Sequence, residues 1–182
     1  SNNDGKITED DRTQIGNPHP DFTMGLNLHF SYKGFDLNIT GAGAFGQQIA
    51  KSYRSFADSP LQNYTTDIFG RWTGEGTSNK LPRLTSGSHT NWQNISDIYI
   101  EDGDYLKIQN LTIGYDFKKL FPTMPLGQAR LYLTAQNLFT FTGYSGMDPE
   151  IGYGYDKSWV SGIDLGYYPS PRTYMVGVNL KF

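Results

Sequence analysis

The sequence predicts an all-β fold, and more narrowly an antiparallel β-barrel that crosses a membrane with its strands. Three observations lead there. Apolar and polar residues alternate with period two over long runs, short turns alternate with long loops, and aromatic residues gather near strand ends. The composition agrees. Of 182 residues, 15% are aromatic and 18% charged, the latter below the roughly 25% of an average soluble domain. Such ring content argues against disorder. No run approaches the roughly 18 apolar residues of a membrane helix. The net charge of −3 supplies no basic footprint for nucleic acid. Cys is absent, which removes disulfides, thiolate metal sites and Cys nucleophiles together.

The first strand places Phe22, Met24, Leu26, Leu28, Phe30 and Tyr32 on one face, with Thr23, Gly25, Asn27, His29 and Ser31 on the other. Lys33-Gly34 is a tight turn. A second strand then carries Phe35, Leu37 and Ile39, followed by Gly41, Gly43 and Phe45, against Asp36, Asn38, Thr40, Ala42 and Ala44. A third strand begins near Tyr105 and sets Leu111, Ile113, Tyr115 and Phe117 outward. Leu106 and Ile108 fall on the opposite parity, which predicts a bulge or a change of environment. Lys118 to Leu126 is a Pro-bearing turn. The fourth strand sets Ala129, Leu131, Leu133 and Ala135 against Arg130, Tyr132, Thr134 and Gln136, with Phe139, Phe141 and Tyr144 at its far end. The last strand carries Tyr174, Val176, Val178, Leu180 and Phe182.

A half-apolar antiparallel sheet has two explanations. One is a soluble sandwich with its apolar face packed inward; the other is a barrel whose apolar face meets lipid. Loop asymmetry (33–34 and 118–126 short; 47–104 and 145–171 long) favours the barrel, as does a polar face of small Thr, Asn, Gly, Ser and Gln. Strands of about 11 residues suit a tilted crossing. Short turns then face the periplasm and long loops the outside.

Several segments resemble SusC/RagA-like TonB-dependent transporters of the Bacteroidetes outer membrane. They are Asp4-Gly5-Lys6-Ile7, Ile15-Gly16-Asn17-Pro18-His19-Pro20-Asp21-Phe22, Tyr32-Lys33-Gly34-Phe35-Asp36, Arg71-Trp72-Thr73 and Leu81-Pro82-Arg83-Leu84. Then follow the run from Ile100-Glu101-Asp102-Gly103-Asp104 to Asn110-Leu111, Ala135-Gln136-Asn137-Leu138-Phe139, Thr142-Gly143-Tyr144, Met147-Asp148-Pro149-Glu150, Tyr168-Pro169 and Arg172-Thr173-Tyr174. The resemblance implies that residues 1–182 are the last five strands of a barrel of about 22, with plug domain and earlier strands absent. Ser1-Asn2-Asn3-Asp4-Gly5, with no basic start or apolar core, reads as the middle of something longer. The family further implies import of glycans or peptides, a SusD-like surface lipoprotein over the mouth, TonB acting through the absent N-terminal part, and no enzymatic activity. The rival readings are a passive porin or structural outer-membrane protein, and a soluble calcium-dependent carbohydrate-binding β-sandwich.

Candidate sites are few. Asn2, Asp4, the Lys6 carbonyl, Thr8 and Asp11 fill most of a Ca²⁺ loop, in which oxygen ligands alternate around a Gly turn; a metal-free Asx-rich turn fits the same residues. Loop aromatics Trp72, Trp92, Tyr144, Tyr153, Tyr155 and Trp159 are candidates for substrate or partner contact, or for packing loops together. The series Tyr174, Val176, Val178, Leu180, Phe182 resembles the C-terminal signal read by barrel-insertion machinery. His19, His29 and His89 show no metal spacing, and no nucleophile elbow, P-loop or dinucleotide fingerprint occurs.

Overall fold

The structure is a computed structural model that describes residues 10, 12–57, 64–84, 96–150 and 161–182. Its main sheet has five antiparallel strands: β1 (Phe22–Tyr32), β2 (Phe35–Phe45), β5 (Tyr105–Asp116), β6 (Gln128–Thr142) and β7 (Thr173–Lys181). Two short strands, β3 (Gln48–Ala50) and β4 (Ile100–Asp102), pair separately within the long loop region. The main sheet is a meander in the order β1-β2-β5-β6-β7, so each strand lies beside its neighbour in that succession. The predicted strands are all present. A one-turn helix, α1 (Ser52–Ala57), and the β3–β4 pair are additions.

The first turn is set by local chemistry. Lys33 and Gly34 both have positive φ, 47° and 92°, which matches the right-handed twist of the flanking strands. A Cβ on Gly34 would collide with the Lys119 side chain. The Gly34 carbonyl accepts from the Asp116 N–H at 2.7 Å, so the two short turns are tied together. Asp116 also accepts from the N–H groups of Lys118 (3.0 Å) and Ala129 (3.2 Å), closing the second turn.

Parity changes where the sequence departs from strict alternation. The ladder between β2 and β5 shifts between Thr40 and Gly41, leaving Gln109 as an extra residue. The ladder between β5 and β6 shifts again, where Asn137 adopts positive φ (52°). The register therefore puts Leu106, Ile108, Leu111, Ile113 and Tyr115 on one face, opposite Phe141, Phe139, Ala135, Leu133 and Leu131. The bulge is what keeps a single apolar face.

That face is uncovered among the described residues. Leu28 is 52% exposed, Leu133 55% and Val178 59%. A sandwich buries such side chains under a second sheet, and no second sheet covers this face among the described residues. Rings band both ends of the face: Tyr32, Phe35 and Tyr115 at the short-turn end, Phe22, Phe45, Phe139, Phe141 and Tyr174 at the long-loop end. At ~3.3 Å per residue, Phe22 to Tyr32 spans roughly 33 Å of strand. A tilt of about 40° reduces this to roughly 25 Å, the height of a barrel's apolar band.

The opposite face is polar and cross-linked. Arg130 on β6 reaches across β5 to Asp36 on β2, with Nε to Oδ1 at 2.8 Å and a second bond to Oδ2 at 2.6 Å. Gly114 lies beneath this bridge, and a Cβ there would strike both partners. The Arg130 guanidinium also sits 4.8 Å from the Tyr132 ring centre, and that ring covers Gly177 on β7. Thr112 and Thr134 share a hydroxyl hydrogen bond of 2.9 Å. A transverse ladder thus joins β2, β5, β6 and β7. The outer edges of β1 and β7 have no strand partner among the described residues.

Candidate functional site

The long-loop end carries a platform assembled from distant segments. β3 pairs with β4, and Ala50 also bridges in parallel to Ile163. The Ala50 N–H donates to the Gly162 carbonyl at 2.7 Å, and the Asp164 N–H returns to the Ala50 carbonyl at 2.9 Å. Ile49 is 2% exposed and seats against Gly103, where a Cβ would not fit. Positive φ at Gly162 (71°) and Gly166 (86°) lets the second long loop bend onto this ladder.

Buried charge locks the platform. The Lys51 ammonium donates to Glu101 Oε1 at 2.8 Å and to Ser145 Oγ, and lies 5.8 Å from the Tyr144 ring centre. Glu101 also accepts from the Ser145 N–H (2.9 Å) and hydroxyl (2.8 Å). Burial raises the Glu101 carboxyl, but the Lys51 ammonium and the Ser145 donors outweigh it, so the group ends below its ordinary range. The Tyr144 hydroxyl donates to Asp164 Oδ2 at 2.6 Å, while Asp164 Oδ1 accepts from the Gly166 N–H at 2.8 Å. Burial and then the Asp164 hydrogen bond push the Tyr144 hydroxyl far up. Burial and the same carboxylate raise Tyr53.

A second tether runs from the sheet itself. Lys107, on the polar face of β5 and 2% exposed, donates to Glu150 Oε2 at 2.6 Å, with Asp148 at 3.6 Å. Its partner on β2 is Ala42, and neighbouring Ala44 is small and buried, which leaves space for the long side chain. Asp148 in turn accepts the Glu150 N–H at 3.0 Å. The wall and the 145–150 segment are therefore one bonded unit.

Beside the first lock opens a cavity of about 250 Å³. Its walls are α1, the 3-10 turn Thr66–Gly70, the Arg71–Leu81 bridge and the 3-10 turn Asp97–Tyr99. Lys51, Arg54 and Lys80 line it with Asp67 and Glu101, and Arg54 pairs with Asp67 at 3.1 Å. A smaller cavity of about 130 Å³ lies among Pro18, His19, Gln48 and Pro149.

The sequence-predicted residues fall unevenly. Asn2, Asp4, Lys6, Thr8 and Asp11 lie outside the described residues, as do Trp92, Tyr153, Tyr155 and Trp159. Trp72 is 40% exposed and held by its N–H to the Leu81 carbonyl at 3.0 Å. Of the two readings for Tyr144, the structure gives loop packing: it is 6% exposed and its hydroxyl donates to Asp164. Tyr168, by contrast, is 89% exposed. Tyr174, Val176, Val178 and Leu180 share the apolar face of β7, and Phe182 is 94% exposed. Sequence reading passed over Lys51, Ser145, Asp164 and Lys107. The carboxylates of the 100–104 and 147–150 motifs were the available signal for their partners.

No family model matches the chain. TonB-dependent receptor P3 of Formosa agariphila is 37% identical across 98% of this chain, which covers 18% of that protein. TonB-dependent receptor SusC of Bacteroides thetaiotaomicron is 28% identical over all of this chain and 17% of its own length. The structure of the RagAB peptide transporter matches with a TM-score of 0.75 at 26% identity, over 97% of this chain and 19% of that one. The likeness is to SusC/RagA-type outer-membrane barrels. The chain spans about a fifth of the length of these relatives. With one exposed apolar face and one polar face laddered by Asp36, Arg130 and Tyr132, the sheet matches a stretch of SusC/RagA-type outer-membrane barrel wall.

Proposed function

We propose that this chain is the C-terminal wall and loop portion of a TonB-dependent importer, carrying an oligosaccharide or a peptide across the outer membrane. The long-loop platform faces outside and meets a SusD-like surface lipoprotein, which lids the mouth. TonB acts from the periplasm through a plug domain elsewhere in the protein. The chain contributes shape and binding surface, with no covalent chemistry of its own. The observation that carries this reading is the two-faced five-stranded meander, which superposes on the RagAB transporter over 97% of its length. Its described loop segments are bonded to one another through Lys51, Glu101, Tyr144 and Asp164, and Lys107 fastens the 145–150 segment to the polar face of the sheet.

The reading is tested in cells carrying the whole receptor. A Tyr168→Cys variant is expected to react with an impermeant maleimide on intact cells, and Lys33→Cys only after lysis. Uptake of labelled peptides or oligosaccharides is expected to stop when TonB is deleted. Uptake that persists without TonB would show a passive pore.

A further inference from the structure

We propose that the 250 Å³ cavity beside α1 is a binding subsite for a carboxylate-bearing residue of the incoming ligand, with Lys80 as its anchoring cation. This rests on the reading above that the platform faces incoming substrate. The volume equals about eight water molecules at ~30 Å³ each, enough for one side chain or ring and too small for a folded partner.

Charge bookkeeping around the walls picks the ligand. Lys51 is matched by Glu101 at 2.8 Å, and Arg54 by Asp67 at 3.1 Å. Lys80 alone among the lining cations has no ion pair among the described residues. The cavity therefore carries one positive charge without a counter-ion, and Leu81 supplies an apolar wall beside it. A carboxylate on a short carbon frame complements both.

The main chain at Lys80 is held by hydrogen bonds. Its N–H and that of Leu81 both donate to Ser78 Oγ at 3.2 Å. The Leu81 carbonyl accepts from the Trp72 N–H, and Arg71 Nη1 reaches the Ile68 carbonyl at 3.1 Å. The backbone that carries Lys80 is thus ordered without a ligand, and its exposed side chain stands at the cavity's open side. The flanking Arg54–Asp67 and Lys51–Glu101 pairs hold the other charges in place, so an anion entering the cavity meets Lys80 without breaking either.

A carboxylate of this size comes from an acidic amino acid or from a uronic acid, and the experiment separates the two. Purified whole receptor in detergent is titrated with capped Gly-Glu-Gly against capped Gly-Gln-Gly, and with galacturonic acid against galactose. In at least one pair the acid is expected to bind about tenfold more tightly than its neutral twin, the value of one charge-assisted hydrogen bond. Lys80→Gln is expected to erase that preference while leaving the neutral twin unchanged. The pair that shows it names the source. Equal binding within both pairs, or a preference that survives Lys80→Gln, would overturn the proposal. Because binding in detergent needs no energy coupling, a failed TonB-dependence in cells would strike the importer reading and leave this result standing.

Discussion

The wall and the platform are built on opposite rules. In the wall, large apolar side chains point outward: Phe30, Leu133, Val176 and Val178 are all more than half exposed. In the platform, charges point inward. Asp164 is 2% exposed there and Lys51 6%. Lipid explains the first rule, since it replaces the core that a soluble sheet would need. The second follows from the loops' lack of regular structure: their backbone and side-chain polar groups find partners only through specific long-range pairs such as Lys51–Glu101 and Tyr144–Asp164. Non-directional burial holds one region, and directional bonds hold the other.

That contrast can be broken first in the wall. Arg in place of Val178 on the whole barrel is expected to cost about 2–4 kcal/mol in urea unfolding from bilayers, and Arg in place of Thr134 on the lumen face much less. Equal costs would mean both faces are equally buried. The transverse ladder comes next. Asp36→Asn strips Arg130 of its charge partner at a half-buried position and is expected to cost about 1–3 kcal/mol in the same assay. Loss of the pair should be matched by Gly114→Ala, whose methyl would push the two apart.

In the platform the expected loss is local. Lys51→Met leaves Glu101 with only the Ser145 donors, and is expected to loosen the loops by about 1–2 kcal/mol. Proteolysis of the 96–104 and 145–150 segments reads this directly, while the unfolding of the strands should stay unchanged. The same lock has a pH signature. The Glu101 carboxyl sits below its ordinary value of 4.5 in the folded platform, so its contribution is complete above that value. It is lost as pH falls through the folded value, and protease protection of the loops should fall with it. The smallest effect is expected at the chain's last residue. Deleting Phe182 should lower the amount of folded barrel recovered from outer membranes, and leave uptake per folded molecule unchanged.

The wall was legible because its signal is local. Each strand declares its two faces within a window of ten residues, and the Lys33-Gly34 turn fixes its hairpin from two residues with positive φ. The parity slip at Leu106 and Ile108 likewise announced the bulge that the ladders contain. The platform was not legible, for the converse reason. Ile49 and Glu101 are paired across a long loop, and nothing near either residue points to the other. Nothing near Lys107 in sequence marks it as buried; the return of the 145–150 segment gives it its partner. Tyr144 left two readings open, contact or loop packing, and its bond to Asp164 from a distant segment is what places it among the packing rings.

Gln109 gives the wall a further property. Strands in a closed barrel slide past one another by a fixed stagger, and every unmatched residue adds to that slide. Between the level of Ile39 and that of Gly41, β2 uses three residues where β5 uses the four from Ile108 to Leu111, and β6 uses the five from Ala135 to Phe139. The extra residues are taken up within the same height, so they bend and twist β5 and β6 step by step in one direction across the sheet. The rim at the loop end is cut on a slant, with β6 climbing to Thr142 while its ladder with β7 stops at Gln136. The high side of that slant carries the tethered 145–150 segment.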